Sequence, residues 1–471
     1  MKYNIEYGIT NLISESKARE YKVIPIAMKE KKLSAAVSED TAVDNFLLLR
    51  EYFKEIGICE LELLTYSEIE IVRLINTYYS IEFENKKILD NLNLFRNSQN
   101  AKALFDYIIL EALKLKASDI HIINENQYLV VRFRIKGKIK TFCMLDRSLG
   151  EKLIRVLKVK SNIEISKTKS PKDSRLRYLF GENEADIRVS IINTIQGEKI
   201  SLRILNSQDI PSSINQLNLN HDEIKIIKRA IALSSGFILI CGPTGSGKST
   251  TLRCFLNEIN DADRHIISVE DPIEYKMEGI TQIQVEESSD NAFNKALRYI
   301  VRQDPDIIYI GEIRDYESAD IATKASLTGH LVLSTLHARD SILAINRMEN
   351  LGIDRDTIIS SLNLIVNQRL VSILCDKCKR KIEYKGKSIE ELHLYEGNVI
   401  YEASGCIDCG YSGYEKIIPV MDILVLDDNM KLNIKTNNFN HLITDNILKK
   451  ILDLFKLGKI ELKEALKYFW Y

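Results

Sequence analysis

Residues Gly242-Pro243-Thr244-Gly245-Ser246-Gly247-Lys248-Ser249-Thr250 complete the pattern G-x-x-x-x-G-K-S/T without a mismatch. Glycines in this pattern let the backbone curl until several N–H groups converge on one anion. A helix that starts there adds its positive dipole end. Lys248 then reaches the β- and γ-phosphates, and the Ser249 hydroxyl takes one position on Mg²⁺. The flanks suit the pattern, with apolar Phe237–Cys241 reading as a strand and Thr250–Arg253 opening a helix. The chemistry implied is binding of a nucleoside triphosphate.

Transfer of a phosphoryl group to water also needs an oriented water and balanced charge. Two acidic segments end strand-like runs: Ser268-Val269-Glu270-Asp271-Pro272-Ile273-Glu274, and Asp306 to Glu312. Gly311 stands where a Walker B element usually carries aspartate, so the carboxylate work must be shared. Glu312 is read as the water-polarising base or an outer metal partner and Glu270 as the complementary group, with the roles exchangeable. The plain alternative for both is a solvated strand-end carboxylate. His337, after Leu333–Leu336, would sense the γ-phosphate or touch a neighbouring subunit; a structural role is the alternative there and at His330. Arg298 and Arg302 are four apart and read as one face of a helix, either neutralising charge or simply exposed.

Four of the eight cysteines form two C-x-x-C pairs, Cys375/Cys378 and Cys406/Cys409, with 27 residues between the pairs. In a reducing compartment that spacing favours metal over disulfides, and four thiolates close a tetrahedral Zn²⁺ site. A redox pair or unligated thiols are the alternatives. Cys59, Cys143, Cys241 and Cys254 read as small buried residues.

These residues need elements to hold them. Apolar runs at 237–241, 266–269, 307–310 and 331–335 alternate with helical stretches, predicting a parallel sheet with helices on both faces. Ahead of it, a helix is expected over 101–116, then strands at 128–135, 185–190 and 199–205 around the turn Lys136-Gly137-Lys138. Arg188 and Arg203 alternate with apolar neighbours there and read as solvated sheet surface. The first ~85 residues suggest a small α+β domain. Residues 84–100 read as a polar linker, 207–219 as a hinge, and the end as two amphipathic helices broken near Gly458. The expected division is 1–97, 101–206, 220–430 (knuckle 375–409) and 431–471.

Composition sets outer limits. With 65 basic and 66 acidic side chains the net charge is 65 − 66 = −1, which gives no support for a general polyanion surface. No apolar run approaches the ~18 residues of a membrane span, and the start lacks a secretory signal, so a cytoplasmic protein is expected.

Taken in order, these pieces resemble the secretion ATPase superfamily, specifically the type IV pilus assembly and type II secretion motors. The matching residues are Ala117–Ile122, Arg132–Gly137, Asp186–Ser190 with Gly197-Glu198-Lys199, and the phosphate loop. Val269–Glu274 is similar to the family's Asp box, Arg302–Asp306 through Asp315 to its Walker B region, and Thr328–Ala338 to its His box. The resemblance implies a RecA-like α/β P-loop domain preceded by an α+β (PAS-like) module and a small N-terminal domain, with a zinc insertion. It implies a homohexamer binding ATP and Mg²⁺, with Glu312 catalytic and Arg188 and Arg203 reaching a bound nucleotide. Its partners would be an inner-membrane platform protein and, indirectly, pilin subunits, with recruitment to the inner face of the membrane and no direct nucleic acid. The four-cysteine insertion favours pilus extension over retraction, with type II secretion as the alternative and a nucleic-acid translocase behind both. Three features depart from the family. No Arg-Leu-Gly-led cyclic di-GMP motif is found, Pro171-Lys172-Asp173-Ser174 replaces a Pro-x-Asp-Gly turn, and Tyr414 stands where an arginine usually follows Gly413.

Overall fold

The computed structural model describes residues 5, 9–13, 15–29, 32–39, 41, 43–58, 60–79, 86–125, 128–165, 170–180, 183–205, 211–285, 292–436 and 446–469. The chain divides into two compact units, one of residues 1–206 with 403–413 and one of residues 207–402 with 414–471.

The first unit contains two sheets. Strands β1 (Val23–Lys29), β2 (Lys32–Ser38) and β3 (Glu60–Tyr66) form a three-stranded sheet, closed over its own core by helix Glu68–Tyr78. Strands β4 (Ala117–Asn124), β5 (Tyr128–Ile135), β6 (Lys138–Asp146), β7 (Lys172–Phe180), β8 (Asn183–Thr194) and β9 (Gly197–Leu205) form an antiparallel sheet ordered β6-β5-β4-β9-β8-β7. Alternate residues such as Ile120, Val131, Phe133, Leu202 and Ile187 bury against helices Ala101–Lys114 and Arg147–Lys160. Asp146 caps the second of these helices by accepting from Leu149 N–H.

Two expectations change here. Residues 86–98 are a helix, not a linker, because Ile88 and Leu92 lie on one face and bury in the core. Pro171-Lys172-Asp173-Ser174, the departure from the family's turn, leads into β7, which begins at Lys172. Part of the expected hinge is packed, with Ile214 and Leu217 in the core of the second unit; residues 207–210 and Cys59 lie outside the described residues.

The second unit is built on β10 (Gly236–Cys241), β11 (Ile266–Glu270), β12 (Thr281–Gln284), β13 (Ile307–Ile310), β14 (Leu331–Leu336), β15 (Leu362–Leu374) and β18 (Tyr414–Val425), in the order β12-β11-β13-β14-β10-β15-β18. The four expected strands are present and parallel; β18 adds an antiparallel edge against β15. Every residue of β10 and β14 is buried, as a parallel strand covered on both faces requires. All the parallel strands therefore end on one side, where ligands of such sheets bind. Strands β16 (Arg380–Glu383) and β17 (Val399–Glu402) form a small antiparallel ribbon between the two cysteine pairs. Helices Asn446–Lys456 and Leu462–Phe469 confirm the amphipathic end and pack Ile451, Phe455 and Ala465 into the core that includes Leu392 and Ile400. Burial pushes the Cys241 and Cys254 thiols up to about 12, so both are protonated, inert core residues at neutral pH.

Candidate functional site

The phosphate loop leaves the end of β10 and turns into helix Lys248–Ile259. Gly245 and Gly247 have φ of 77° and 84°, the left-handed region that only glycine occupies without strain. Gly247 is the helix N-cap. The Lys248 ammonium is nearly buried and donates to the carbonyls of Gly242 at 2.9 Å and Pro243 at 3.1 Å. Burial holds its pKa below the usual lysine value, with Glu312 acting in the opposite sense. A charge held this way has much to gain from an anionic partner.

Glu312 lies just past β13. It accepts from Arg314 Nε and stands 3.5 Å from His337 Nε2, while Arg314 also donates to Asp271 Oδ2 at 3.0 Å. The structure therefore joins Glu312 to the Asp271 segment through Arg314, an arginine to which the sequence assigned no role, and brings His337 to Glu312 itself. Gly311 sits tightly against β11: a Cβ there would lie 3.2 Å from the Val269 carbonyl, so an aspartate would require β11 to shift by a few tenths of an ångström.

Glu270 is buried at the end of β11 and accepts from Ser268 Oγ at 2.9 Å and Gln282 Nε2 at 3.0 Å. Burial raises its pKa. A raised folded pKa means that Glu270 favours the fold most below its unfolded pKa of ~4.3, and that this contribution is lost as pH rises through the folded value. Glu270→Gln, which keeps the acceptor oxygen, is therefore expected to melt above wild type at pH 7, with the gap closing towards pH 4. A melting temperature equal to or below wild type at pH 7 would contradict the burial argument.

Other expected residues fall elsewhere. His330 donates from Nδ1 to the Ala325 carbonyl at 3.0 Å and closes the end of helix Tyr316–Leu327, a structural role. Arg298 pairs with Glu317, and Arg302 is not on the same helix, which ends at Ile300. In the first unit Arg188 and Arg203 face each other across β8 and β9, and Arg203 pairs with Asp119 Oδ1 at 3.2 Å. Asp119 also holds Arg134 at 3.3 Å, and Arg203, with its side chain 67% exposed, lies on the solvated sheet surface as expected while pairing with Asp119.

Polar residues inside β15 escaped the sequence reading. Asn367-Gln368-Arg369 interrupts an apolar run in which no spacing marks a site. Arg369 donates to Arg339 O at 2.6 Å, two residues beyond His337, and Gln368 bonds to Ser246 O and Thr251 Oγ1. The only sequence signal was polarity within a strand otherwise buried on both faces.

The ligand atoms of Cys375, Cys378, Cys406 and Cys409 all lie within 4.8 Å of one another. Cys406 Sγ and Cys409 Sγ are 3.8 Å apart, which matches the edge of about 3.8 Å for a tetrahedron with Zn–S of ~2.3 Å. Cys409 Sγ also accepts from the backbone N–H of Cys406 and Gly413, both at 3.2 Å. The donor set fits zinc. Tyr414, in place of the expected arginine, is buried and donates its hydroxyl to Glu461, which also pairs with Lys463.

A glycine-lined phosphate loop at the end of a parallel sheet, with a glutamate at the tip of the strand next but one, defines the class of P-loop nucleotide-binding proteins. The family described as type II/IV secretion system protein matches residues 96–468, and the chain belongs to that family. Type II secretion system protein E of Dickeya dadantii is 39% identical over 328 residues, covering 70% of this chain and 66% of that protein, just under two thirds of its length. The type IV pilus assembly ATPase PilB of Myxococcus xanthus is 32% identical over 460 residues, 91% of this chain and 79% of PilB. The solved structure of the pilus retraction motor PilT with bound ADP superposes with a TM-score of 0.52 at 25% identity, covering 77% of this chain and 95% of PilT. The family is one of ATPases. Among the described residues no helix is long and apolar enough to cross a membrane.

Proposed function

We propose that this chain hydrolyses ATP as the motor of a type II secretion machine. The observation that carries the reading is the complete phosphate loop at the end of β10, with the Lys248 ammonium held on its carbonyls, in a chain whose relatives include several named type II secretion system protein E. The sequence alone favoured pilus extension; the relatives reverse that order. Pilus assembly stays as the second reading, supported by the alignment to PilB across 91% of this chain.

In this reading residues 242–250 hold the phosphates through backbone N–H groups. Lys248 exchanges its two loop carbonyls for phosphate oxygens, and Ser249 offers its hydroxyl to Mg²⁺, which would neutralise charge on the phosphates. Glu312, oriented by Arg314 and within reach of His337, positions the attacking water, and buried Glu270 supports the same strand edge. Arg188 and Arg203 would reach the nucleotide of a neighbouring subunit in a homohexamer. Cys375, Cys378, Cys406 and Cys409 would hold one structural zinc. The fold reading is a RecA-like domain over 220–430, a PAS-like module over 101–206, an N-terminal domain over 1–97 and terminal helices over 431–471. The motor would work in the cytoplasm, docked on an inner-membrane platform protein and moving pilin-like subunits.

Purified Glu312→Gln should keep nucleotide binding and lose on the order of 10²-fold or more in turnover. In a deletion strain, protein export should fail and return with wild type but not with Glu312→Gln. Intact export with lost surface filaments would move the assignment to pilus extension, and intact export and filaments would remove both.

A further inference from the structure

Strand β15 runs parallel to β10 with Ile240 opposite Val366 and Cys241 opposite Asn367, so Gln368 arrives beside the first residues of the phosphate loop. Gln368 is 1% exposed. A buried primary amide is costly unless both ends are bonded, and here they are. Its Nε2 donates to the Ser246 carbonyl at 2.6 Å, and its Oε1 accepts from Thr251 Oγ1 at 2.8 Å. Thr251 is itself 1% exposed, on the helix that follows the loop. The approach is close enough to dictate sequence. A Cβ on Gly242 would lie 2.6 Å from the Gln368 carbonyl, and one on Gly247 would lie 2.9 Å from Gln368 Nε2.

A trans peptide is planar, and its C=O and N–H point in opposite directions. Bonding the Ser246 carbonyl to Gln368 therefore turns the N–H of Gly247 away from β15. Had that peptide rotated the other way, a carbonyl dipole would face the incoming anion and a donor would be lost. The Thr251 hydroxyl, which donates, requires the oxygen of the Gln368 amide on its side and so fixes the NH₂ towards Ser246.

We propose that Gln368 is a positioning residue for nucleotide binding: it holds the Ser246–Gly247 peptide with its N–H set for a phosphate oxygen, and Thr251 fixes the amide that does so. Gln368 acts through the loop and does not touch the nucleotide. The loop is thereby set before the phosphate arrives, and less of the binding energy is spent on ordering it. This inference rests on the nucleotide-binding reading above.

The test is equilibrium titration of the full chain with a fluorescent ADP analogue and Mg²⁺, together with KM and kcat for ATP. Gln368→Met keeps length and volume and removes both hydrogen bonds. Its Kd and KM are expected to rise together by about tenfold or more, the equivalent of a lost buried hydrogen bond. Its kcat should stay within about threefold, because the loop grips the phosphates alike in ground and transition states. Thr251→Val leaves the amide unfixed and should raise Kd by a smaller factor. The double variant should bind about as weakly as Gln368→Met alone, since both changes break one linkage.

A purely structural role would lower the melting temperature without moving KM of the folded protein. Folded Gln368→Met with Kd within about twofold of wild type would overturn the proposal, as would a fall in kcat at fixed KM. If Gln368→Met does not fold, Thr251→Val decides, and an unchanged Kd overturns it. Wild type that binds no better than Lys248→Ala would defeat the nucleotide reading itself, and the role of Gln368 with it.

Discussion

Replacing Lys248 by alanine is expected to lower ATP turnover by on the order of 10²- to 10³-fold, the usual cost of deleting one preorganised charge at a reacting oxyanion. Release of phosphate by purified protein measures it. The fold should change little, and the reason is visible around the side chain. Among the described residues its ammonium bonds to the carbonyls of Gly242 and Pro243, and burial lowers its pKa, so the charge is held at a cost in the absence of an anion. Removing it gives up two charge-assisted hydrogen bonds worth about 1.5–3 kcal/mol each and removes a desolvated charge, two terms of opposite sign. The melting temperature should therefore stay near wild type while turnover collapses. Wild-type turnover in a folded Lys248→Ala protein would remove the loop from the chemistry. Joint loss of fold and activity would show that Lys248 supports the core and leave turnover unassigned to it.

That separation of chemistry from fold follows from how the sequence encodes each. The loop and its strand were legible because two local patterns coincide: a glycine spacing fixed by backbone geometry, and a strand apolar at every position because both its faces are covered. The cysteine pairs were legible for the same reason, since metal-ligand spacing is local. What the sequence hid is non-local. Nothing in Ile313-Arg314-Asp315 says that Arg314 will reach back to Asp271, because that contact exists only once β11 and β13 pair in parallel. Gln368 is silent until β15 is placed beside β10. The polar composition of residues 86–98 suggested a linker, yet two apolar residues four apart, Ile88 and Leu92, sufficed to dock a helix. The helix expected to carry both Arg298 and Arg302 ends two residues too early for the second, an error of boundary rather than of kind. Similarly, Tyr414 read as a departure from a family arginine; in the fold its phenol donates to Glu461, a buried carboxylate that no local pattern announces.

Replacing both Cys375 and Cys378 by serine is expected to release about one zinc per chain and to unfold residues 375–409 while the phosphate-loop core persists. The free energy of a four-thiolate site at neutral pH is ~10–16 kcal/mol in small zinc modules, as large as the whole stability of an ordinary domain. Against that, the ribbon of β16 and β17 pairs at four positions only, too small a sheet to stand alone in water. Leu392, Leu394 and Ile400 give the segment a modest core that it shares with Ile451 and Phe455 of the terminal helix. The loss should therefore extend to residues 446–469 and to the first residues of β18, where Tyr414 meets Glu461. It should fade along β15 towards Gln368, because the core around Ile240, Leu364 and Val366 draws on strands and helices remote from the cysteines. Metal analysis and hydrogen exchange resolve this pattern: rapid exchange at 375–414 and 446–469 with protection retained in β10 and β14. Wild type containing no metal would end the zinc reading. A double-serine protein that keeps its metal would place the site elsewhere, and uniform loss of protection would mean that the knuckle nucleates the whole unit and does not merely cap one edge of it.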